Sequence, residues 1–324
     1  MSGRLAVRLL RGSRGSSNNI NIKEFKKRLS SIKGEIRYGE PMKNYTSFKI
    51  GGPADIMVFP QDLQDLANLL HIAEEEKVSL FILGKGTNIL VKDGGIRGIV
   101  VNLQRFDKIM IESEDENGEA VVFAEAGVNL SRLLNFTASH GLTGFEFAAG
   151  IPGSVGGAVF MNAGSFNGEI KDVIRQVRMM DLKGNVIEID REDIRFGYRT
   201  ARLPKGIILG GSFALHKNNS KKIKDKITAL IGSKKEKQPV GARSAGSVFK
   251  NPAKGFAGAL IESVGLKGYR IGDAEVSEKH ANFIVNKGRA IAKDVIKLIK
   301  VVKERVKKEK GVALKLEVKI IGKD

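Results

Sequence analysis

The chain has 324 residues, 42% of them hydrophobic and 28% charged, a composition that supports two or three globular domains without covalent staples. It contains no cysteine, which excludes a disulfide scaffold, a thiolate nucleophile and cysteine-held zinc or iron–sulfur centres; its four histidines are too scattered for a metal site. The formal net charge is +19, and no apolar run approaches the roughly 18–20 residues that span a bilayer.

Residues 1–19 hold four arginines and no acid, and read as a basic flexible tail rather than a targeting segment. The run 22–32 predicts a short basic helix. Residues 45–55 form a glycine-punctuated turn that leads into a strand at 56–59. Pro60 and Asp62 then open a helix with Leu63, Leu66, Leu70 and Ala73 on its stripe. A strand at 78–83, the loop Gly84-Lys-Gly-Thr-Asn88, and strands at 89–91 and 96–103 follow. Residues 119–127 alternate as a strand, 130–139 reads as a helix stopped by Gly141, and 173–181 with 186–190 reads as a hairpin. A strand at 207–215 precedes a shift to Lys/Asn/Ser composition, where a domain boundary is placed. Helices near 221–232, 254–264 and 290–309 and strands near 283–285 and 312–320 complete the chain.

The positive charge sits in three stretches. Residues 1–19, 217–237 and 287–310 carry +4, +6 and +7, together 17 of the 19 charges. In the last of these, Ile291, Val295, Leu298, Val302 and Val306 form one stripe and lysines the other face, an amphipathic helix with a solvated basic side. These helices have no aromatic residue to stack on bases, so a nucleic-acid-binding module is the weaker reading of the charge.

Four segments could carry chemistry. The loop 84–88 brings two glycines between strands but lacks the third glycine and following helix of a dinucleotide fingerprint, so a tight turn and a phosphate site both fit. Gly150-Ile-Pro-Gly-Ser-Val-Gly-Gly-Ala158 packs four glycines into nine residues. Successive amides with no side chain in the way make an anion nest suited to a diphosphate. Ser247, in Ser244-Ala-Gly-Ser-Val-Phe249, follows a glycine, with no nucleophile-elbow sequence around it. Glu317 lies on the polar face of an alternating strand, and Arg199 follows Tyr198 in a loop; by themselves both read as surface residues.

Six blocks occur in an order that resembles the UDP-N-acetylenolpyruvoylglucosamine reductase family (the UDP-N-acetylmuramate dehydrogenases). They are NYTSFKIGGPAD (44–55), LGKGTNILV (83–91), GFEFAAGIPGSVGGAVFMNAG (144–164), FGYRTARL (196–203), SAGSVFKNP (244–252) and LEVKIIG (316–322). The middle blocks alone would fit any PCMH-type FAD protein, an oxidase or dehydrogenase of sugars or hydroxy acids included. The serine block and the closing glutamate are specific to the reductases.

The resemblance implies an α+β chain: a two-subdomain PCMH-type FAD-binding fold over 20–103 and 104–216, and a third, α/β substrate-binding domain over 217–324. It implies non-covalent FAD held by Gly84, Lys85, Gly86, Thr87, Asn88 and Ile89 and by Gly150, Pro152, Gly153, Ser154, Gly156, Gly157 and Ala158. NADPH would be co-substrate, and no metal would take part. Arg199, Ser247 and Glu317 match the catalytic positions, with Ser247 as proton donor; Tyr198, Lys237, Asn251 and His280 match contacts to a UDP-sugar. A cytoplasmic enzyme of peptidoglycan precursor synthesis is implied. The chain departs from the common pattern at Lys85, where a small residue is usual, and at Ala201, where many members have serine. No tyrosine lies between Tyr198 and Tyr269, which places the chain in the shorter subgroup without the tyrosine-bearing insertion.

Overall fold

A computed structural model describes residues 22–324. The basic tail expected over 1–19 lies outside the described residues. The chain divides into two compact units. One holds the described residues up to Tyr38, Ile56–Lys85 and Gly98–Ile231; the other holds Gly39–Asp55, Gly86–Arg97 and Gly232–Asp324.

The first unit is built on two sheets. In one, the strands run in the order Glu35–Pro41, Pro53–Phe59, Ile96–Asn102, Leu80–Leu83. The last two are parallel. Helix Leu63–Glu75 starts where Asp62 accepts a hydrogen bond from the Asp65 amide, 2.8 Å away, and buries Leu66, Leu69 and Leu70 with Val58, Ile99 and Val101. Leu63, expected on that stripe, is 41% exposed because it opens the first turn. Asp65 is buried, and its carboxylate accepts the amides of Lys33, Gly34 and Gln61 at 2.8, 2.9 and 2.9 Å. It thereby ties the stretch between the first helix, Ile22–Leu29, and strand Glu35–Pro41 to the start of helix Leu63–Glu75.

The second sheet of this unit has six strands. Its order is Val186–Asp190, Ile174–Asp181, Gly206–Lys217, Glu119–Glu125, Ile109–Glu114, with the short strand Leu142–Thr143 also paired to Gly206–Lys217. Every ladder in it is antiparallel. The expected hairpin is present, with Met180 opposite Val186. The strand Ile109–Glu114 was not legible from the pattern, because its outer positions are charged and exposed. Helices Leu130–Ser139 and Val155–Met161 bury Leu133, Leu134, Val155 and Val159 with Phe145, Val177 and Phe213.

In the second unit, helix Ala292–Lys310 buries Val295, Leu298, Val302 and Val306 beside Val248, Phe249, Leu314 and Val318. Ile291, expected on the stripe, precedes the helix and is 46% exposed. The segments 39–55 and 86–97 pack here for identifiable reasons, although a division at residue 103 assigns them to the first subdomain. Strand Ile89–Val91 runs parallel to Lys319–Ile321. Asp93 accepts the amides of Ala292 and Lys293 at 2.8 and 3.1 Å, capping the long helix from a distant segment. Phe48, Ile50 and Leu90 belong to this unit's core. The strand expected over 312–320 is regular only at Lys319–Ile321, with Leu316 bridging Phe249 upstream.

Asp65→Ala strands three amides, one in a buried and two in half-buried hydrogen bonds. It is expected to lower unfolding stability in urea by about 3 kcal/mol or more; a loss below about 1 kcal/mol would show that water reaches those amides.

Candidate active site

The glycine segments of the first unit meet at Ser154. This serine occupies the residue before helix Val155–Met161, where a hydroxyl ordinarily accepts a helix amide, yet its side chain makes no cap bond. Its Oγ is buried and has no hydrogen-bond partner in the protein, alone in this among the described residues. A Cβ added to Gly84 would come within 2.7 Å of that Oγ, and one on Gly157 would lie 3.5 Å away. Glycine at these two positions leaves open the space around an unsatisfied donor, the arrangement that a phosphate oxygen completes.

The other glycines have packing roles of their own. A Cβ on Gly156 would sit 2.9 Å from the Ala126 Cβ, and Gly86, at φ +62°, has the Tyr45 carbonyl 2.0 Å from its Cβ position. The nest is also narrower than an unbroken row of amides. Val155, Gly156 and Ala158 donate to the carbonyls of Val128, Ala126 and Ser154. The turn that enters the run is held by buried Glu146, which accepts from the Thr143 hydroxyl at 2.6 Å and the Gly144 amide at 2.7 Å, with Lys226 3.4 Å away. Burial opposes ionisation of Glu146, but these donors and the lysine outweigh it and hold the carboxyl below its usual range.

Beside the glycine run lies an open depression of about 520 Å3, lined by Lys85, Gln104, Arg105, Gly127, Asn129 and Arg132 among others. Lys85 apart, sequence reasoning missed these residues, because Arg105 and Arg132 lie far apart in the chain with no motif to join them and meet only in the fold.

Arg199 also belongs to the first unit. Tyr198 and Arg199 form the two-residue turn between strands Arg195–Gly197 and Thr200–Arg202. Arg199 takes φ +56°, a left-handed conformation that glycine or asparagine normally fills. Such strain in a bulky residue costs on the order of 1 kcal/mol or more and is characteristic of functional positions. The guanidinium donates to the Gly164 carbonyl at 2.8 Å and lies 5.1 Å from the Tyr198 ring centroid. The turn is anchored by Asn162, a residue the sequence reading passed over. Fully buried at φ +43°, it donates to the Gly197 carbonyl at 3.1 Å and to Glu169 at 2.8 Å.

Ser247 and Glu317 both lie in the second unit, on paired backbone. Ser247 bridges Phe283 and Phe249 bridges Leu316, so residues 247–249 have a partner segment on each side. The Val248 carbonyl accepts the amides of both Glu317, at 2.9 Å, and Val318, at 3.4 Å. Two residues opposing one is the signature of a bulge, which re-aims a side chain where it occurs. It explains why the closing strand is irregular there and why Glu317 is half-buried instead of on a fully solvated face. Asn88 is tied to the same strand: its Nδ2 donates to the Glu317 carbonyl at 3.4 Å, and its own carbonyl accepts the Lys319 amide at 3.0 Å.

Asn251 accepts the Ala257 amide at 3.0 Å at the start of helix Ala257–Ser263, and Lys237 is exposed at the end of helix Ser220–Lys237. His280 is half-buried, and its Nδ1 accepts the Asn282 amide at 3.2 Å, which leaves the proton on Nε2. Its ring stands edge-on to Phe283, 5.0 Å between centroids. Burial pushes its pKa below the ordinary imidazole value, so it is neutral near pH 7. Among the described residues, no helix is long and apolar enough to cross a membrane, and no cluster of three or more His, Cys, Asp or Glu could hold a metal ion.

Two family profiles match the chain. One, described as an FAD binding domain, covers residues 54–190; the other, the C-terminal domain of UDP-N-acetylenolpyruvoylglucosamine reductase, covers 238–321. The chain is 46% identical over 305 residues to the UDP-N-acetylenolpyruvoylglucosamine reductase of Clostridium novyi (strain NT), covering 93% of this chain and 97% of the relative. The chain belongs to the UDP-N-acetylenolpyruvoylglucosamine reductase family. The enzyme of the same name from Caldanaerobacter subterraneus subsp. tengcongensis is 45% identical over 291 residues, 89% of this chain and 94% of that one. The crystal structure of the reductase from Thermus caldophilus superposes with a TM-score of 0.74 at 34% identity, covering 90% of this chain and 99% of that chain. The fold is therefore α+β, with a PCMH-type FAD-binding portion followed by the reductase C-terminal domain. The second match weighs against a general flavin oxidase.

The residues around Ser154 fit FAD: a buried donor awaits an acceptor, and no side chain obstructs it. Ser154→Ala is expected to leave the stability of the flavin-free protein unchanged or slightly higher, because the lost hydroxyl bonds to nothing in the protein. It should weaken FAD binding about tenfold, read by quenching of flavin fluorescence. A loss of stability with unchanged FAD affinity would make the hydroxyl structural.

For His280, the folded pKa lies below the unfolded one. Its stabilising contribution is therefore complete above about pH 6.5 and is lost as pH falls toward the folded value. His280→Gln is expected to flatten that part of the stability–pH curve; an unchanged curve would mean that the imidazole does not titrate differently on folding.

Proposed function

We propose that the chain catalyses the NADPH-dependent reduction of UDP-N-acetylglucosamine enolpyruvate to UDP-N-acetylmuramate, a step of peptidoglycan precursor synthesis in the cytoplasm. The seating of Ser247 and Glu317 on bonded segments around the Val248 carbonyl supports this reading most directly. By family likeness, residues 20–103 and 104–216 correspond to the two FAD-binding subdomains and 217–324 to the substrate-binding domain, except that 39–55 and 86–97 pack within the C-terminal unit and 217–231 within the other.

FAD, when bound, supplies a two-electron relay that takes hydride from NADPH and delivers it to the methylene carbon of the enolpyruvyl group. The protein's residues handle everything else. The two segments 84–89 and 150–158 hold the diphosphate, with Ser154 as the buried donor and Lys85 adding a cation beside the first.

As the substrate's carbon–carbon double bond is consumed, negative charge develops on the carbon that bears the carboxylate and spreads into it. Arg199, locked in its turn, supplies a fixed cation for that charge. Ser247 donates a proton to the same carbon, which completes the saturated lactyl ether. A hydroxyl is a weak acid in water, but an enolate held within hydrogen-bond reach is basic enough to take its proton. Glu317 assists in its protonated form or through a water, since an ionised carboxylate would repel the enolate. Tyr198, Lys237, Asn251 and His280 contact the UDP-sugar, His280 as a neutral Nε2–H donor.

Ser247→Ala is the decisive variant. In an anaerobic stopped-flow experiment, reduction of the bound flavin by NADPH should proceed within about twofold of the normal rate, while reoxidation by the enolpyruvyl sugar nucleotide should slow by at least about 100-fold. Equal slowing of both half-reactions would assign Ser247 a structural or flavin-binding role instead.

A further inference from the structure

The segment that follows the proton donor is held by one side chain that no sequence motif singled out. Asn282 is 4% exposed. Its Oδ1 accepts the Phe249 amide at 2.9 Å, and its Nδ2 donates to the Phe249 carbonyl at 2.8 Å. A backbone amide can only donate and a carbonyl can only accept, so this orientation of the side-chain amide is dictated by its partners. The pair of bonds reproduces what a neighbouring strand would give Phe249. The main chain of Asn282 adds two more: its carbonyl accepts the Val248 amide at 2.8 Å, and its N–H is the donor that sets the His280 tautomer. Gly246, at φ +71°, immediately precedes Ser247 and would otherwise let the segment swing.

We propose that Asn282 is a positioning residue for Ser247. By fixing both polar groups of Phe249, it holds the serine hydroxyl at the distance from the substrate carbon that proton transfer requires, while its amide orients His280. The inference rests on Ser247 as proton donor. A displacement on the order of 1 Å in a reacting group can cost about 100-fold in rate, and Asn282 prevents that displacement.

The test uses the FAD-loaded protein and measures each half-reaction anaerobically, with calorimetric titration of the enolpyruvyl sugar nucleotide onto the oxidised enzyme. Asn282→Ala is expected to slow flavin reoxidation by about 10- to 100-fold, leaving flavin reduction and substrate affinity within about threefold of normal. In a Ser247→Ala background, Asn282→Ala should cost less than about twofold more, because the group it positions is gone.

Asn282→Asp adds a pH signature and carries the test alone if the alanine variant fails to fold. An ionised aspartate faces the Phe249 carbonyl with no donor, whereas a protonated one restores both bonds. Its defect should therefore narrow as pH falls, with no such trend in the unsubstituted enzyme. Equal slowing of both half-reactions, an additive loss on top of Ser247→Ala, or a pH-independent Asn282→Asp defect would each overturn the proposal. Loss of the second half-reaction in Asn282→Ala but not in Ser247→Ala would instead remove the proton-donor reading itself.

Discussion

One carbonyl, that of Val248, accepts the amides of two successive residues, Glu317 and Val318. The chemistry proposed for Ser247 and Glu317 depends on that shared bond. A regular ladder would continue the alternation of the closing strand and leave Glu317 facing solvent as an ordinary charged residue. The bulge breaks the alternation at the residue before Val318, which returns to the core. Ser247 lies one residue before the same carbonyl, so Ser247 and Glu317 sit on directly bonded segments. Asn282 on one side and the segment bridged at Leu316 on the other flank that defect.

The first unit shows the complementary principle, in which backbone is brought close by removing side chains. Gly156 allows helix Val155–Met161 to start against Ala126, and Gly84 keeps its Cβ out of the space beside Ser154. A serine at a helix start could use its hydroxyl for a cap worth about 1 kcal/mol. Here that stabilisation is forgone, and the hydroxyl stays buried without a partner in the protein. Arg199 carries a second local cost, a left-handed turn residue held by Gly164 and by the Asn162 anchor. Both costs fall where the family resemblance places function, and sites that bind or react are where proteins tolerate local strain.

Much of this was legible in the sequence, because the signals were local. Helix 130–139 with its Gly141 stop, the Asp62 cap and the 173–190 hairpin follow from periodicity and turn chemistry. What was not legible depends on contacts distant in sequence. Strand 89–91 looks like part of the preceding sheet, but its hydrogen bonds are made with residues more than two hundred positions later. Asn162 and Asn282 look like ordinary polar loop residues until both are found buried with the oxygen and nitrogen of each side-chain amide hydrogen-bonded. The closing strand reads as regular alternation, and nothing in its residue types announces the bulge. Ser247 and Glu317 were reached through motif resemblance, since a serine after glycine and a glutamate between lysines carry no chemistry by themselves.

The most direct test is a two-step anaerobic titration of the FAD-loaded protein, followed through the visible flavin band. NADPH should bleach the flavin, and the enolpyruvyl sugar nucleotide should then restore its colour in proportion to the amount added, with no oxygen present. Flavin that stays bleached in the presence of the sugar nucleotide and recolours only on admitting air would contradict the proposed reaction, and would leave a flavin-holding fold whose serine and glutamate serve some other reaction.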